Sequence, residues 1–300
     1  MPRREVVDAL VVGGGPAGLA AALYLARFRR RVLVVEHGES RAAKIPCTHN
    51  YPGFPDGISG AALLTGMRLQ ARRHEVQFAA GRVTSLERID GGFRARWADG
   101  EAEARTVVLA TGVTDVPPAM PHLVQAMLDG ALRYCPVCDG YEVAGLSVGL
   151  LADSGDDTSE ALYLRHFTDR VTLFVSRTGV DFSGTQRQRM AQAGVRLVES
   201  PVTRIRRADA GVAVQHGGAE EVVASLYGAL GIEVHSQLAA NLGAEHDGNG
   251  YLLTDHHHQT RVAGLYAVGD VVKGLNQIAV ATGGAAIAAS AIHLALMEHT

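Results

Sequence analysis

Residues 6–36 read VVDALVVGGGPAGLAAALYLARFRRRVLVVE, and this stretch decides the fold. Val6 to Val12 is a nearly unbroken apolar run, the pattern of a parallel strand covered on both faces. The turn Gly13-Gly14-Gly15-Pro16-Ala17-Gly18 follows. The spacing then predicts a helix from about Leu19 to Arg29 and a second strand from Arg31 to Val35, ending at Glu36. Gly13, Gly15 and Gly18 match G-x-G-x-x-G, and Glu36 stands where an acid accepts ribose hydroxyls. Such glycines let the backbone approach a pyrophosphate, whose charge faces the helix N-terminus. The unit predicts an α/β fold that binds a dinucleotide.

The unit recurs. Ala22-Leu23-Tyr24-Leu25 and Phe28 reappear 139 residues later as Ala161-Leu162-Tyr163-Leu164 and Phe167, and Val32 to Val35 line up with Val171 to Phe174. A second nucleotide-binding-like fold therefore starts near Leu146. At the same offset Gly13, Gly15 and Gly18 fall opposite Ala152, Ser154 and Asp157, and Glu36 opposite Val175. Asp153, Asp156 and Asp157 stand where amides should meet a pyrophosphate, so like charges oppose that ligand; the same acids also suit the cap of a solvated helix. Both readings make this loop a poor pyrophosphate cradle.

Elsewhere, Phe93 to Trp97 and Thr106 to Ala110 read as strands, the latter ending in Ala110-Thr111-Gly112. Pro117-Pro118 marks a crossover. Leu265 to Val268 is a further apolar strand that ends at Gly269-Asp270. The predicted architecture is two Rossmann-like domains. The first is discontinuous, 1–116 and 233–300, and the second, 117–232, is inserted into it.

Composition agrees. Of 300 residues 47% are apolar, enough for a substantial core, and 35 are glycine, about 12% against a usual ~7%. The net charge of −3 gives no basic field for nucleic acid or an anionic membrane. Three cysteines make no disulfide framework, no secretory apolar region opens the chain, and a cytoplasmic setting is expected. Ile278 to Met297 has the length of a membrane span, but its alanines, glycines and position after Gly269-Asp270 point to a helix buried in the first domain.

Cys135-Pro136-Val137-Cys138-Asp139-Gly140 places two thiols three residues apart, suited to switching between dithiol and disulfide. With Cys135 as N-cap and Pro136 in the first helical position, a helix dipole would favour a thiolate, and Asp139 could move a proton. A zinc site would need a second pair, which the chain lacks. Cys47 reads as buried filler. His256-His257-His258 reads as an exposed turn, since adjacent strand residues point to opposite faces, and His49 beside Asn50 lies on a loop able to reach the first domain's ligand.

Taken together, Gly13 to Gly18, His49-Asn50-Tyr51-Pro52-Gly53-Phe54-Pro55-Asp56-Gly57, Ala110-Thr111-Gly112, Cys135 to Gly140 and Ala267-Val268-Gly269-Asp270 resemble the low-molecular-weight thioredoxin reductases and their flavin-dependent disulfide oxidoreductase relatives, over nearly the whole chain. The resemblance implies FAD as cofactor, with Gly13, Gly15, Pro16 and Ala17 at its pyrophosphate, Glu36 at its adenosine ribose and Val83 at its adenine. It implies Asn50, Thr111 and Gly112 on the flavin side, Gly269 and Asp270 at the ribitol or phosphate region, and Gln277 and Ile278 near the isoalloxazine. Cys138 would exchange electrons with flavin, Cys135 would attack the partner's disulfide, and Asp139 would be the acid–base residue.

The chain departs from that family at the electron donor. NADPH-using members carry a second glycine-rich loop and an arginine cluster. Here the loop is Leu151-Ala152-Asp153-Ser154-Gly155-Asp156-Asp157, the strand is followed by Ser176-Arg177-Thr178, and Asn276 replaces the arginine usual before Gln277. The expectation is a thioredoxin-reductase-like enzyme exchanging electrons with a thioredoxin-like protein or a small dithiol, without NADPH as natural donor. Ferredoxin or oxygen would be its electron partner. The alternatives are an ordinary NADPH-dependent thioredoxin reductase and a non-catalytic flavin redox sensor. Relatives are commonly homodimers.

Overall fold

The computed structural model describes residues 6–298. Two compact units emerge. One holds the chain up to Ala43, Ser59–Thr114 and everything from Glu233 on; the other holds Lys44–Ile58 and Asp115–Ile232. The loop 44–58, assigned from sequence to the first domain, groups instead with the second unit. The chain leaves the first unit through the strand Val113–Asp115 and returns through Ile232–Val234, and these two strands pair.

In the first unit the opening strand is Val7–Val12, with Val32–Glu36 parallel on one side and Gly100–Leu109 parallel on the other. Gln77–Ala80 extends the sheet parallel to Val32–Glu36. On its other edge the long strand Gly100–Leu109 serves two neighbours: its first half takes Gly92–Trp97 antiparallel, its last residues take Leu265–Ala267 parallel, and Ser85–Ile89 pairs with Gly92–Trp97. Alternate residues of the opening strand face different cores. Ala9 and Val11 pack with the helices Pro16–Arg27 and Ile278–Glu298, whereas Leu10 and Val12 pack with Leu86, Phe93 and Ala95 of the antiparallel hairpin. Burial on both faces explains the unbroken apolar run.

The first helix begins at Pro16, three residues before the sequence reading. Proline's fixed φ suits the first helical position, where its missing N–H is no loss. It stops at Arg27, and Arg29 takes φ +62°. The last helix corrects an expectation. Only one face is buried, along Ala281, Gly284, Ala285, Ala288, Ala289, Ile292 and Leu296, and Val280, Ile287, Leu294 and Met297 lie exposed opposite.

The second unit repeats the plan. Val148–Ala152 lies between Val171–Val175 and Ser225–Ala229, all parallel, as Val7–Val12 lies between its own neighbours. Arg196–Val198 and the short Leu132–Arg133 complete a five-stranded parallel sheet. Val202–Ala208, Gly211–His216 and Ala219–Val223 form a separate antiparallel sheet.

The two glycine-turn positions differ in what they tolerate. Gly13 has φ +113°, and a Cβ there would lie 2.3 Å from the Ala110 carbonyl oxygen; a Cβ on Gly18 would lie 1.9 Å from the Gly13 oxygen. At Gly13 and Gly18 the first turn therefore admits no side chain, because strand and helix close directly on these positions. We expect Gly13→Ala to cost ~2–4 kcal/mol in urea unfolding. Ser154→Ala at the corresponding point of the second unit should cost only ~1 kcal/mol, the worth of a lost cap.

Candidate active site

Leu132–Arg133 forms the edge of the second sheet, and the chain turns out of it into Cys135-Pro136-Val137-Cys138. Cys135 is extended and caps a single helical turn, Pro136–Asp139, with Pro136 at its start, as the sequence predicts. Cys135 and Cys138 are joined as a disulfide with Cα atoms 5.2 Å apart. One turn carries little macrodipole. What it supplies is local: the Cys138 amide donates to Cys135 Sγ at 3.1 Å and to the Cys135 carbonyl at 2.9 Å.

Asp139 follows directly and is held from two strands. Arg133 Nη1 lies 2.8 Å from its Oδ2, and the Tyr227 hydroxyl donates to its Oδ1 at 2.8 Å. Arg133 and Tyr227 are register partners across the parallel pair, so the sheet itself puts them side by side. Arg133 Nε also donates to the Gly130 carbonyl and the Ser225 hydroxyl, each at 3.0 Å. Burial raises the Asp139 carboxyl above its ordinary range and outweighs the opposing pull of Arg133 and Tyr227; nearby Glu142 adds to the rise. Burial and the Asp139 charge likewise push the Tyr227 hydroxyl up, so it stays a donor. The sequence reading missed Arg133 and Tyr227. They are 94 positions apart, and only strand pairing reveals them.

The residues expected to hold FAD fall into two groups. The N-terminus of Pro16–Arg27 has no side-chain cap, so its first amides are free of any competing side chain. Gly269, φ +74°, opens the short turn Gly269–Val271 and packs on Ala17, since a Cβ there would lie 2.7 Å from Ala17 Cβ. Gly112 has φ +66° with open space beside it, the Thr111 hydroxyl donates to the His235 carbonyl at 2.6 Å, and Val83 is buried in the core. Asp270 lies 3.2 Å from Arg41 Nη1. Gln277 accepts the Ala281 amide through its carbonyl and leads into Ile278, the first residue of the last helix; next to them the buried Asn276 Oδ1 has no hydrogen-bond partner. These features of the first unit fit an extended dinucleotide. Glu36 carries a partner the sequence did not predict: Arg68 grips its carboxylate with two bonds of 2.9 and 2.8 Å. Asn50 belongs to the second unit, where its amide donates to the Val137 carbonyl at 3.4 Å.

The second loop is closed by its own side chains. The amides of Asp153 and Ser154 both donate to Asp157 Oδ2, each at 2.8 Å, and the Asp156 amide donates to Ser154 Oγ at 3.2 Å. Ser154 and Asp157 make a reciprocal capping box. Asp153 accepts from the Ser176 hydroxyl at 2.6 Å and Arg177 Nε at 2.8 Å, so the lone arginine after the strand is already paired. Burial raises the Asp157 carboxyl, against the two amide bonds that favour its ionised form.

Two singled-out groups differ from their sequence reading. Cys47 is exposed, not buried. His256 and His257 are exposed as expected, but His258, φ +62°, turns inward, and burial lowers its pKa.

Two Rossmann-like units and a disulfide-forming Cys-x-x-Cys turn define a flavin-type disulfide oxidoreductase. The family pattern described as pyridine nucleotide-disulphide oxidoreductase matches residues 7–285, and the chain belongs to that family. It is 31% identical to a thioredoxin reductase of Treponema pallidum (strain Nichols), over 95% of each chain. It is 27% identical to a thioredoxin reductase of Bacillus subtilis (strain 168), over 97% of this chain and 95% of that one. The thioredoxin reductase structure from Streptococcus pyogenes superposes with a TM-score of 0.90 at 27% identity, covering 98% and 99% of the two chains. An atypical thioredoxin reductase from Desulfovibrio vulgaris Hildenborough gives 0.56 at 30% identity, covering 98% and 99%. The protein is thus a thioredoxin-reductase-like, FAD-dependent disulfide oxidoreductase.

Burial, and then the Asp157 charge, push the Glu160 carboxyl beside the closed loop up to about 7. The unfolded chain ionises this group near 4.5, so stability falls as pH rises from 4.5 to 7 and levels off above. Glu160→Gln should raise Tm by ~2–4 °C at pH 8 and leave it unchanged at pH 4, read by scanning calorimetry.

Proposed function

We propose that the chain moves electron pairs between flavin and a dithiol or disulfide partner through Cys135 and Cys138, and that NADPH is not its natural donor. When bound, FAD supplies a two-electron acceptor and donor. Gly13, Gly15, Pro16 and Ala17 would hold its pyrophosphate, Glu36 its ribose, Val83 its adenine, and Thr111, Gly112, Gly269, Asp270, Gln277 and Ile278 its remaining length; the family resemblance makes Asn50 a flavin-side residue. In the reductive direction the Cys135 thiolate attacks one sulfur of the partner's disulfide and expels the other. Cys138 then attacks the mixed disulfide, leaving Cys135–Cys138 oxidised and the partner a dithiol. The oxidase direction is the reverse. Asp139, held by Arg133 and Tyr227, takes and returns the thiol proton.

The observation that carries the donor reading is Asp157 Oδ2 accepting the amides of Asp153 and Ser154. A phosphate entering this turn must displace a carboxylate that already makes the same bonds, and it gains no free arginine in return. Electrons then come from ferredoxin or from a substrate dithiol, the latter passing on to oxygen. A thioredoxin-like protein or small dithiol is the partner, and the enzyme works as a cytoplasmic homodimer. The second reading, an ordinary NADPH-dependent reductase, is favoured by the names of relatives, among them NADPH-dependent thioredoxin reductase 3 of Arabidopsis thaliana, 28% identical over 89% of this chain and 54% of that protein.

The test is anaerobic titration of the yellow holoprotein with NADPH, NADH and dithiothreitol, following the flavin band. Bleaching by the dithiol and not by micromolar NADPH is expected; rapid bleaching by NADPH overturns the donor reading. A single stoichiometric change without turnover would mark a sensor. In steady-state dithiol oxidation or disulfide reduction, Asp139→Asn should lower turnover by ~10²-fold. Arg133→Gln removes the charge that opposes the burial-driven rise of Asp139, so the basic form should appear at higher pH and the rate–pH profile should move to the alkaline side.

A further inference from the structure

The third cysteine is one member of a cluster that the redox turn does not use. Thr48 pairs with Ile58 by two backbone bonds of 2.8 and 3.0 Å, which close the loop 48–58 at its base. Cys47 and His49 flank Thr48 and so share a face of this bridge, the period-two geometry of extended chain. His49 Nε2 lies 3.5 Å from Cys47 Sγ, and its Nδ1 lies 3.0 Å from Glu142 Oε1. Glu142 belongs to the short turn Tyr141–Val143, directly after the redox turn. Its second carboxylate oxygen is buried with no hydrogen-bond partner.

The order of contacts sets the protons. A carboxylate only accepts, so Nδ1 carries the hydrogen that reaches Glu142. In a neutral ring so hydrogen-bonded, Nε2 is the bare nitrogen, and it is the one beside the thiol. Thiol, imidazole and carboxylate in this sequence are the arrangement of an activated nucleophile with its base and the base's orienter. Gly57 shows how closely the loop wraps the pair. At φ +74°, a Cβ there would lie 2.5 Å from Cys47 Sγ and 2.7 Å from the His49 ring, so the turn can pass beside them only as glycine. Cys47 is exposed and the His49 side chain is 46% exposed, which leaves the thiol open to a reagent from solvent.

We propose that Cys47 is a second thiol–disulfide exchange site, separate from the Cys135–Cys138 pair, with His49 as its proton acceptor and Glu142 as the residue that orients His49. Its substrate class is a solvent-borne disulfide. His49 Nε2 takes the thiol proton, Cys47 Sγ bonds to one sulfur, the S–S bond of the substrate breaks, and the other sulfur leaves as a thiolate. The product is a mixed disulfide on Cys47, with no outside oxidant or reductant needed. The site stands on the second unit alone and needs neither flavin nor a nicotinamide donor.

In oxidised holoprotein Cys47 is the one thiol among three cysteines, so labelling reads it without background. Oxidised holoprotein is incubated with glutathione disulfide and the adduct is followed by peptide mass spectrometry. We expect one adduct, on Cys47, absent in Cys47→Ser. His49→Ala should slow its formation at least tenfold, with imidazole in the buffer restoring much of the rate, and Glu142→Gln should slow it several-fold. No adduct on Cys47, an undiminished rate in His49→Ala, or a loss that imidazole does not restore would overturn the proposal. Flavin retention in each variant reports folding, and none of these readouts depends on turnover.

Discussion

A backbone amide at a helix start can be claimed by the chain or by a ligand, and much of this molecule follows from that choice being made differently in two copies of one fold. At Pro16–Arg27 no side chain caps the first turn, and glycine holds strand and helix too close for one to enter. At Gly155–Asp157 and the following helix, Asp157 bonds the loop amides and Ser154 completes the box. Behind each loop a central strand lies between two parallel neighbours, so the difference at the loops lies in a few side chains. Anion binding at a helix N-terminus needs open amides as well as a dipole. One unit keeps both features, and the other has used its amides to stabilise itself.

The redox turn shows the complementary use of a sheet. Parallel register places Arg133 beside Tyr227, and both reach the carboxylate that follows Cys138. Burial favours the protonated form of this acid, whereas the guanidinium and phenol favour its charge, so the group sits between two opposing effects. That balance suits a residue that must both take and release a proton beside a thiol. The cost is a half-buried charged pair, in which removing one partner leaves the other's charge uncompensated.

Much of this could be read from the chain. The apolar run before Gly13, the glycine spacing and the 139-residue repeat led to two α/β units, because periodicity and turn chemistry are local signals. The cysteine pair and its cap were legible for the same reason. Arg133, Tyr227 and Arg68 were not, since their contacts depend on which strands and helices end up adjacent. Residues 44–58 lie between first-unit elements in sequence but group with the second unit, and this carried Asn50 and His49 to the redox turn's side. Cys47 illustrates the weakness of residue-type statistics: free cysteine is usually buried, yet this one is exposed beside an imidazole. The exposed face of the last helix is not legible, because alanine content conveys apolarity but not which face is covered.

Calorimetric titration of the oxidised holoprotein with NADP⁺, alongside Asp157→Ala, probes the closed loop most directly, because it measures occupancy of the amides without any electron transfer. The account predicts no binding heat at micromolar ligand for the natural chain. Micromolar affinity in the natural chain, unchanged when Asp157 is removed, would contradict it.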